Sequence, residues 1–387
     1  MCGIVTICNY TKNLLELDEK LKRMSELLVY RGPNHEGYSL SKHCLMAHRR
    51  LSIIDLENGN QPMSYTKNGR TYRITYNGEI YNMMDIKKQL INLGYIFETT
   101  SDTEVVLASY VEYQENCLDL FEGVFAFVID DGEKLFIARD QLGVKPLFYY
   151  QDEATIVIAS EIKCILEYIG KAVVDVHGVK ELLGLGPSLS PGYTLYKDIY
   201  SLRPGYYMYF DGQCDLHCYW KLHDEKHTDN LEETIHHVKE LVIDSIQKQL
   251  LSDVPVSSML SGGLDSSIVT AVAAQYIQPL ATYSISYEDQ EKYFQAYEYQ
   301  TTMDDDYIQE MVKQYHPQHN KIVLKQTELI DGLKEALIAR DMPGMADVDS
   351  SLLLFSQSIS QNHKVALSGE CADEIFGGYP WFYKEEL

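Results

Sequence analysis

The pattern of apolar residues changes near residue 224, and this change most constrains the fold of the 387-residue chain. Before it, short β-rich runs predominate, at residues 124–130, 135–139, 146–150 and 155–159. After it, strands and helices alternate, beginning with a strand at 255–260 and a helix at 266–275. Alternation indicates a parallel sheet, whereas many strands with few helices indicate packed sheets with helices outside. We therefore predict two domains, over residues 2–213 and 231–387.

Three local patterns predict elements in the first domain. Apolar residues recur at helical spacing from Leu14 to Leu28, which predicts an amphipathic helix. Residues 72–76 alternate like a strand and lead into Asn77-Gly78, a pair typical of turns. Ser101 and Glu104 precede an apolar run with the spacing of a capping box, which predicts a helix start.

Charge and hydropathy exclude several classes of protein. The chain has 57 acidic and 33 basic residues and a formal net charge of −24. This argues against nonspecific nucleic-acid binding, because neutralising phosphates needs clustered lysine and arginine. No apolar run approaches the roughly 20 residues of a membrane helix, and no secretory signal pattern is visible. We therefore expect a cytoplasmic protein without nucleic-acid or membrane partners.

The eight cysteines do not suggest a disulfide framework in a chain of this length. Four lie in or beside apolar stretches and are expected in the core: Cys8, Cys44, Cys117 and Cys164. Cys214 and Cys218 flank His217, which invites a metal interpretation. No second ligand pair follows at zinc-site spacing, so a β-hairpin is favoured there.

Cys2 follows the initiator methionine directly. Removal of Met1 would leave a thiol and a free α-amine on one residue. An α-amine has an ordinary pKa of about 7.7–8.0, close to a neutral working pH. The start of the chain can therefore supply a nucleophile and its general base together.

A series of short motifs follows Cys2-Gly3-Ile4 along the chain. In order they are Arg31-Gly32-Pro33, His48-Arg49-Arg50-Leu51-Ser52-Ile53, Tyr76-Asn77-Gly78-Glu79-Ile80-Tyr81-Asn82, Ser101-Asp102-Thr103-Glu104, Gly123-Val124-Phe125-Ala126-Phe127 and Arg139-Asp140-Gln141-Leu142-Gly143. Over about residues 2–210 this order resembles the class II glutamine amidotransferase domain, an N-terminal nucleophile hydrolase. The resemblance implies hydrolysis of glutamine to glutamate and ammonia through a thioester on Cys2.

The residue types suit that chemistry. Hydrolysing an amide develops an oxyanion that needs fixed donors, and the Asn77 side chain and the Gly78 N–H can supply two. Glutamine also presents a carboxylate, which Arg50 can bind, and an ammonium, which Glu79 and Asp102 can bind. The full glutamine-binding set implied by the resemblance is Arg50, Leu51, Ile53, Asn77, Gly78, Glu79 and Asp102.

Each of these residues also has a plainer interpretation. Asn77-Gly78 is typical of an ordinary turn, Arg50 fits a surface charge, and Asp102 fits a helix cap. Their combination behind Cys2 favours the glutamine site.

Residues 261–267, Ser-Gly-Gly-Leu-Asp-Ser-Ser, lie between a predicted strand and a predicted helix. Such loops present backbone N–H groups to anions. The Walker pattern is absent from the sequence because no Gly-Lys-Ser/Thr follows. Asp265 can hold Mg²⁺ against phosphate oxygens. The loop resembles that of enzymes which split ATP into AMP and pyrophosphate.

A second motif at residues 367–379 follows a later strand and should reach the same end of the sheet. Glu370 and Asp373 then bring two carboxylates toward the phosphate loop. With the first domain, this resembles the glutamine-hydrolysing asparagine synthetases. The resemblance implies that aspartate is adenylated by ATP and that ammonia captures the β-aspartyl-AMP.

The resemblance also implies the site residues of the second domain. Asp265 and Asp373 would hold Mg²⁺–pyrophosphate, and Glu370 would be the general base acting on ammonia. The implied ATP-binding residues are Leu260, Ser261, Gly262, Gly263, Asp265, Ser266, Ser267, Ser286, Ser368 and Gly369. The implied fold is an α+β N-terminal nucleophile hydrolase sandwich (αββα), then an α/β parallel-sheet ATP-pyrophosphatase domain incomplete at its C-terminus.

Two departures from the family pattern leave alternatives open. Cys371 stands where family members often have glycine, and a positive φ there would strain a cysteine. The chain ends at Leu387, whereas the resemblance implies a longer C-terminal region with a catalytic lysine, so we expect a C-terminally truncated form. The alternatives are an amidotransferase for another carboxylate, or a chain retaining only glutamine hydrolysis. The sequence leaves the oligomeric state open, a homodimer included.

Overall fold

This computed structural model describes residues 1–296, 303–379 and 382. It contains two compact units. One comprises Met1–Glu225 together with Arg340–Gly344, and the other comprises Lys226–Ala339 and Met345–Leu387.

The first unit alternates short strands with a few helices. In chain order these are β1 (Gly3–Cys8), α1 (Asp18–Glu26), β2 (His35–Leu40), β3 (Cys44–Arg50), β4 (Met63–Lys67), β5 (Arg70–Ile80), α2 (Met83–Asn92), α3 (Asp102–Tyr113), β6 (Gly123–Asp130), β7 (Leu135–Arg139), β8 (Phe148–Asp152), β9 (Thr155–Ala159), α4 (Ile162–Ile169), α5 (Val176–Leu185), β10 (Ile199–Ser201), β11 (Tyr206–Phe210) and β12 (Cys214–Cys218).

Two six-stranded antiparallel sheets form the centre of this unit. One has the strand order β10-β8-β9-β1-β3-β2, and the other has the order β12-β11-β7-β6-β5-β4. Successive side chains of a strand point to opposite faces. Ile4 of β1 therefore lies in the core cluster with Val128 of β6 and Ile137 of β7, while Val5 packs in a second cluster with Leu21 of α1. The predicted αββα sandwich is confirmed.

The Asn77-Gly78 pair lies inside β5, so the turn predicted there is wrong. Asn77 pairs with Ala126 and Gly78 pairs with Phe125 in the ladder between β5 and β6. The tight packing at Gly78 explains the glycine, because an added Cβ would lie 2.5 Å from the Val124 carbonyl oxygen. Close approach of two backbones needs glycine as much as a turn does.

The helix predicted after Ser101 begins at Asp102, but the capping box is only half formed. Ser101 Oγ accepts a hydrogen bond from Thr103 N at 3.3 Å. Glu104 accepts instead from the backbone N–H groups of Glu98 and Thr99 at 2.9 and 2.8 Å. Its side chain therefore fixes the preceding loop rather than the helix N-cap.

The second unit alternates helices and strands. In chain order these are α6 (Leu231–Lys248), β13 (Val256–Met259), α7 (Leu264–Tyr276), β14 (Ala281–Tyr287), α8 (Gln290–Tyr293), α9 (Asp305–Tyr315), β15 (Gln318–Leu324), α10 (Gln326–Arg340), α11 (Ala346–Ser360), β16 (Val365–Leu367) and α12 (Ala372–Phe376). The strands form one parallel sheet in the order β15-β14-β13-β16. The parallel sheet predicted from alternation is confirmed.

The cysteines lie where the sequence predicts. Cys8, Cys44, Cys117 and Cys164 are buried and unpaired. Strands β11 and β12 form the predicted hairpin, in which Cys218 lies opposite Tyr206. Within the described ranges, no helix is long and apolar enough to cross a membrane.

Candidate functional site

A pocket in the first unit gathers the start of the chain, the end of β3, strand β5 and the start of α3. Every residue predicted for glutamine chemistry in this unit lines it: Cys2, Arg50, Leu51, Ile53, Asn77, Gly78, Glu79 and Asp102. These positions span a hundred residues of sequence, and the fold brings them into one cavity.

Strand β5 directs backbone N–H groups into this pocket at every second residue. Tyr76 N donates to Gln61 Oε1 at 2.7 Å and Ile80 N donates to Asp102 Oδ2 at 3.2 Å. Gly78 lies midway between them, and its ladder partner Phe125 directs its own backbone groups to Asp140. Since alternate residues of a strand point their N–H groups the same way, the Gly78 N–H faces the pocket.

The Asn77 side chain supplies a second donor. Asn77 is only 1% exposed, and its Nδ2 has no hydrogen-bond partner among the described residues. Buried polar groups are nearly always hydrogen-bonded, because leaving one unpaired costs about 1–3 kcal/mol. A buried amide that lines a pocket without a partner is therefore available to a ligand oxygen.

Cys2 lies at the same pocket with the chain terminus beside it. Its Sγ lies 3.8 Å from the Leu51 carbonyl oxygen, and burial raises the pKa of the thiol. The α-amine of Met1 donates to the Arg31 carbonyl at 3.3 Å, and burial lowers the pKa of this amine to about 6. This amine belongs to Met1; removal of Met1 would place the α-amine on Cys2 itself, beside a thiol that ionises poorly.

Arg50 is 4% exposed and holds the loop that follows β3. Its Nη1 donates to the Leu56 carbonyl at 3.2 Å and to Asn60 Oδ1 at 3.0 Å, and its Nη2 donates to the Ile54 carbonyl at 3.0 Å. The guanidinium is therefore fixed as part of the pocket wall rather than lying free on the surface.

Two acids provide negative charge to the pocket. Asp102 Oδ2 accepts from the Tyr76 hydroxyl at 2.7 Å, and burial raises the pKa of this carboxyl even so. Burial also raises the pKa of Glu79, to about 7, although the nearby Lys145 ammonium opposes the shift. Asp102 is fixed by its donors, whereas Glu79 is poised to change charge near neutral pH.

Sequence reasoning missed several residues that line the pocket. Lys145 lies two residues beyond the Arg139–Gly143 motif, and its pKa is lowered by burial. Gln61 bridges the strand and the helix, since its Nε2 donates to Thr103 Oγ1 at 3.2 Å while its Oε1 accepts from β5. Lys145 could have been found by extending the motif, whereas nothing near Gln61 in the sequence signals its role.

In the second unit, residues 261–267 cover the end of the loop after β13 and the first turn of α7, and their own hydroxyls fix this segment. Ser266 Oγ lies 2.9 Å from Ser261 Oγ and donates to the Gly263 carbonyl at 3.1 Å. Ser266 is buried, whereas Ser261 and Gly263 are exposed. The buried Ser266 hydroxyl fixes this segment. The other residues of the motif face solvent at least in part, including Gly262, Asp265 and Ser267.

The second motif meets this loop directly. A Cβ added at Gly369 would lie 2.7 Å from Ser266 N and 3.1 Å from Asp265 Cβ, so only glycine allows the approach. Ser368 accepts from Glu370 N at 3.2 Å through its Oγ, and Asp373 follows in α12. The structure thus brings the two predicted ATP motifs together at one end of the sheet.

Leu260 and Ser286 are placed less favourably for contact with a ligand. Leu260 is 1% exposed, and its N–H donates to the Tyr283 carbonyl at 2.8 Å. Ser286 Oγ donates to Gln290 Oε1 at 2.9 Å. Both lie at strand ends, as predicted, but their side chains face protein atoms.

Cys371 has φ +71°, ψ +3°, the left-handed conformation. A residue with a Cβ is strained there, as the sequence led us to expect. Cys371 directly precedes α12 and is exposed. The strain therefore lies on the backbone that carries the second motif.

Comparison with known protein families agrees with this division of the chain. The family model described as "Glutamine amidotransferase domain" matches residues 1–220, and the model described as "Asparagine synthase" matches residues 237–387.

Curated relatives match along the whole chain. Glutamine-hydrolyzing asparagine synthetase 3 of Bacillus subtilis is 46% identical over all of this chain and 64% of its own length. Asparagine synthetase 1 of the same organism is 34% identical over all of this chain and 60% of its own length. A Methanocaldococcus jannaschii protein, provisionally named glutamine-hydrolyzing asparagine synthetase 2, is 33% identical over 98% of this chain and 76% of its own.

The chain spans 64% and 60% of the length of the two Bacillus relatives. Together, the two family models match residues 1–220 and 237–387, and the archaeal relative matches 98% of this chain. The chain belongs to the family of glutamine-hydrolysing asparagine synthetases.

Proposed function

We propose that the first unit hydrolyses glutamine and that residues 231–387 belong to an ATP-dependent, AMP-forming synthetase that transfers the ammonia to L-aspartate. The observation that carries the first half is the unpartnered, buried Asn77 Nδ2 in the same pocket as Cys2. Family membership supports the second half, since the relatives are named asparagine synthetases.

In the proposed glutaminase reaction, removal of Met1 leaves the α-amine on Cys2. The amine takes the thiol proton, and sulfur attacks the side-chain amide carbon of glutamine. Asn77 Nδ2 and the Gly78 N–H stabilise the oxyanion. The carbon–nitrogen bond breaks, ammonia leaves with the transferred proton, and water hydrolyses the thioester to glutamate.

The substrate's charged groups have fitting partners in the pocket. Arg50 offers positive charge for the glutamine carboxylate, although its Nη groups already donate to the loop after β3, and Leu51 and Ile53 lie along the wall. Glu79 and Asp102 offer negative charge for the glutamine ammonium. In this proposal, the charged side chains bind glutamine, whereas Asn77 and Gly78 increase the rate of the reaction.

In the proposed synthetase reaction, an oxygen of the aspartate side-chain carboxylate attacks the α-phosphorus of ATP, and pyrophosphate leaves. Ammonia then attacks the acyl carbon, and AMP leaves as asparagine forms. We assign residues 261–267, with Ser368 and Gly369, to the nucleotide and Glu370 to the proton of the attacking ammonia. We place Leu260 and Ser286 near the adenine or ribose because they lie at strand ends, although their side chains face protein atoms.

Mg²⁺ fits this site as a partner of the phosphates. No group of three or more His, Cys, Asp or Glu side chains that could hold a metal occurs in the described ranges, so such side chains alone would not complete the coordination of the ion. Asp265 lies against the second motif, which also carries Asp373, and carboxylates are suitable ligands. Mg²⁺ bound there would neutralise phosphate charge, with the remaining ligands coming from phosphate oxygens and water.

One assay examines both halves. The chain is incubated with glutamine, aspartate, ATP and Mg²⁺, and glutamate, asparagine, AMP and pyrophosphate are measured together. We expect glutamate from the first unit, and any nucleotide turnover to give AMP and pyrophosphate rather than ADP and phosphate. Asp265→Asn should abolish AMP formation and leave glutamate release intact. Release of ADP and phosphate, or loss of glutamate release in Asp265→Asn, would contradict the assignment.

A further inference from the structure

The segment Arg340–Gly344 belongs to the first unit, although more than a hundred residues separate it from Glu225. Met342 packs on the core cluster that includes Val5 and Leu45. The Tyr196 hydroxyl donates to the Asp341 carbonyl at 2.9 Å. The segment is therefore an integral part of the fold that carries Cys2.

The Asp341 carboxylate is fixed at the start of α4. It accepts from Lys163 N at 3.0 Å, and its Oδ1 lies 3.2 Å from Lys163 Nζ. Its side chain is 8% exposed, and its backbone has φ +65°, a conformation that aspartate and asparagine tolerate best. At position 341, the residue type, the burial and the positive φ all favour a short side chain that accepts hydrogen bonds from Lys163.

A chain of alternating charges continues from Lys163 to the nucleophile. Lys163 Nζ also pairs with Glu161 Oε2. Glu161 Oε1 lies 3.0 Å from Arg31 Nη1, with both side chains 13% exposed. Arg31 Nε then donates to the Cys2 carbonyl at 2.9 Å. Three side chains, those of Lys163, Glu161 and Arg31, thus connect the Asp341 carboxylate with the Cys2 carbonyl.

Burial makes these pairs interdependent. Exposed ion pairs contribute little, but removing one partner of a buried pair leaves an uncompensated charge. Among the described residues, Lys163 without Asp341 keeps only Glu161 as a carboxylate partner, and we expect it to draw Glu161 away from Arg31. Arg31 then holds the Cys2 carbonyl less firmly.

Resting on the proposed role of Cys2, we propose that Asp341 is a positioning residue for the glutaminase nucleophile, acting through Lys163, Glu161 and Arg31. A nucleophile displaced by about 1 Å can lose about 10²-fold in rate. The glutaminase site then depends on a residue far outside the segment that carries its motifs.

The test is steady-state glutamine hydrolysis by the full chain carrying Asp341→Asn. Asparagine keeps an oxygen for Lys163 N and tolerates the positive φ, but it removes the charge. We expect kcat to fall on the order of tenfold, with KM for glutamine unchanged within about twofold. Asp331→Asn, at an exposed position of α10, is the matched control and should match wild type.

A second pair of variants keeps the test decisive if Asp341→Asn folds poorly. Lys163→Met should lower kcat in the same way, and Lys163→Arg should restore most of it because the charge is kept. In the double variant Asp341→Asn, Lys163→Met, the losses should be non-additive, as expected for members of one chain of contacts.

The inference is overturned if folded Asp341→Asn or Lys163→Met keeps wild-type kcat, or if only the unfolding temperature changes. Failure of the proposed function looks different. In that case Cys2→Ala would release glutamate as fast as wild type, whatever Asp341 does.

Discussion

The polar groups of the two candidate sites differ in their burial and in their hydrogen bonding within the protein. In the first unit, Asn77, Arg50 and Asp102 are 1%, 4% and 5% exposed. In the second unit, Ser261 and Glu370 are exposed, and Ser266, which is buried, bonds within its own loop. Solvent satisfies exposed groups at little cost, whereas a buried unpaired donor is costly.

This difference indicates how each site recognises its substrate. In the proposed function, the first site encloses a small amino acid and keeps one buried donor, Asn77 Nδ2, for the transition state. The second presents loop backbone and carboxylates toward a large, highly charged ligand, where Mg²⁺ and water supply further contacts. In the first site, the property to test is therefore the preorganisation of its buried polar groups. In the second site, the property to test is the backbone geometry of its loops.

Apart from loss of the nucleophile itself, the largest effect expected within the first site comes from its unpartnered donor. Asn77→Ala should lower kcat for glutamine hydrolysis by about 10²–10³, as for loss of one oxyanion-hole donor. KM should change little, because the donor serves the transition state more than the ground state.

Thr75→Val is the control for this experiment. Thr75 lies two residues away on β5, is buried, and also has an unpartnered hydroxyl within the described chain. Its variant should keep kcat within about twofold. A large rise in KM with unchanged kcat in Asn77→Ala would make the amide a substrate-binding group and remove the contrast between the sites.

A smaller effect concerns the acid whose charge changes near neutral pH. The pKa of Glu79 is raised to about 7, so the carboxyl becomes neutral as pH falls below that value. The glutamine ammonium then loses an attractive partner. KM should rise by up to about tenfold from pH 8 to pH 6, following the ionised fraction.

Glu79→Gln should show a raised KM that no longer depends on pH over this range. The same rise in KM with falling pH in Glu79→Gln would assign the titration to another group, and the charge-based division of roles in the pocket would need revision.

The smallest effect concerns backbone strain in the second site. A Cβ in the left-handed conformation costs about 1–2 kcal/mol, and Cys371→Gly removes this cost. Glycine also gives the unfolded chain more conformational entropy, which lowers the stability by about 0.4–1 kcal/mol. The difference is a net gain of about 0–1.6 kcal/mol, which should raise the thermal midpoint of the unit by about 2–3 °C at its middle value. Cys371→Ala keeps the Cβ and should show no gain; an equal rise in both variants would exclude strain relief.

Much of the architecture was readable from periodicity. Strands predicted at residues 135–139 and 155–159 agree with β7 and β9, because a short, continuous apolar run is typical of a strand buried on both faces, as these two are. The glutamine pocket was readable from an ordered set of motifs. The turn at Asn77-Gly78 was wrong because close packing between β5 and β6 also demands glycine, and sequence alone does not distinguish the two causes.

Other features depend on contacts that no local pattern reports. Gln61 reaches β5 and α3 from a separate loop. Asp341 joins the first unit from beyond residue 225 and bonds Lys163. Such residues resemble ordinary polar positions in the sequence, since their roles arise only when distant segments pack together.

The most direct test of the account is glutamate release by Cys2→Ala beside Cys218→Ala, with glutamine as the only substrate. Cys218 is an exposed thiol in the β11–β12 hairpin, outside the pocket. The account predicts that Cys2→Ala loses glutamate release entirely while Cys218→Ala keeps the wild-type rate. Substantial glutamate release by folded Cys2→Ala would contradict it.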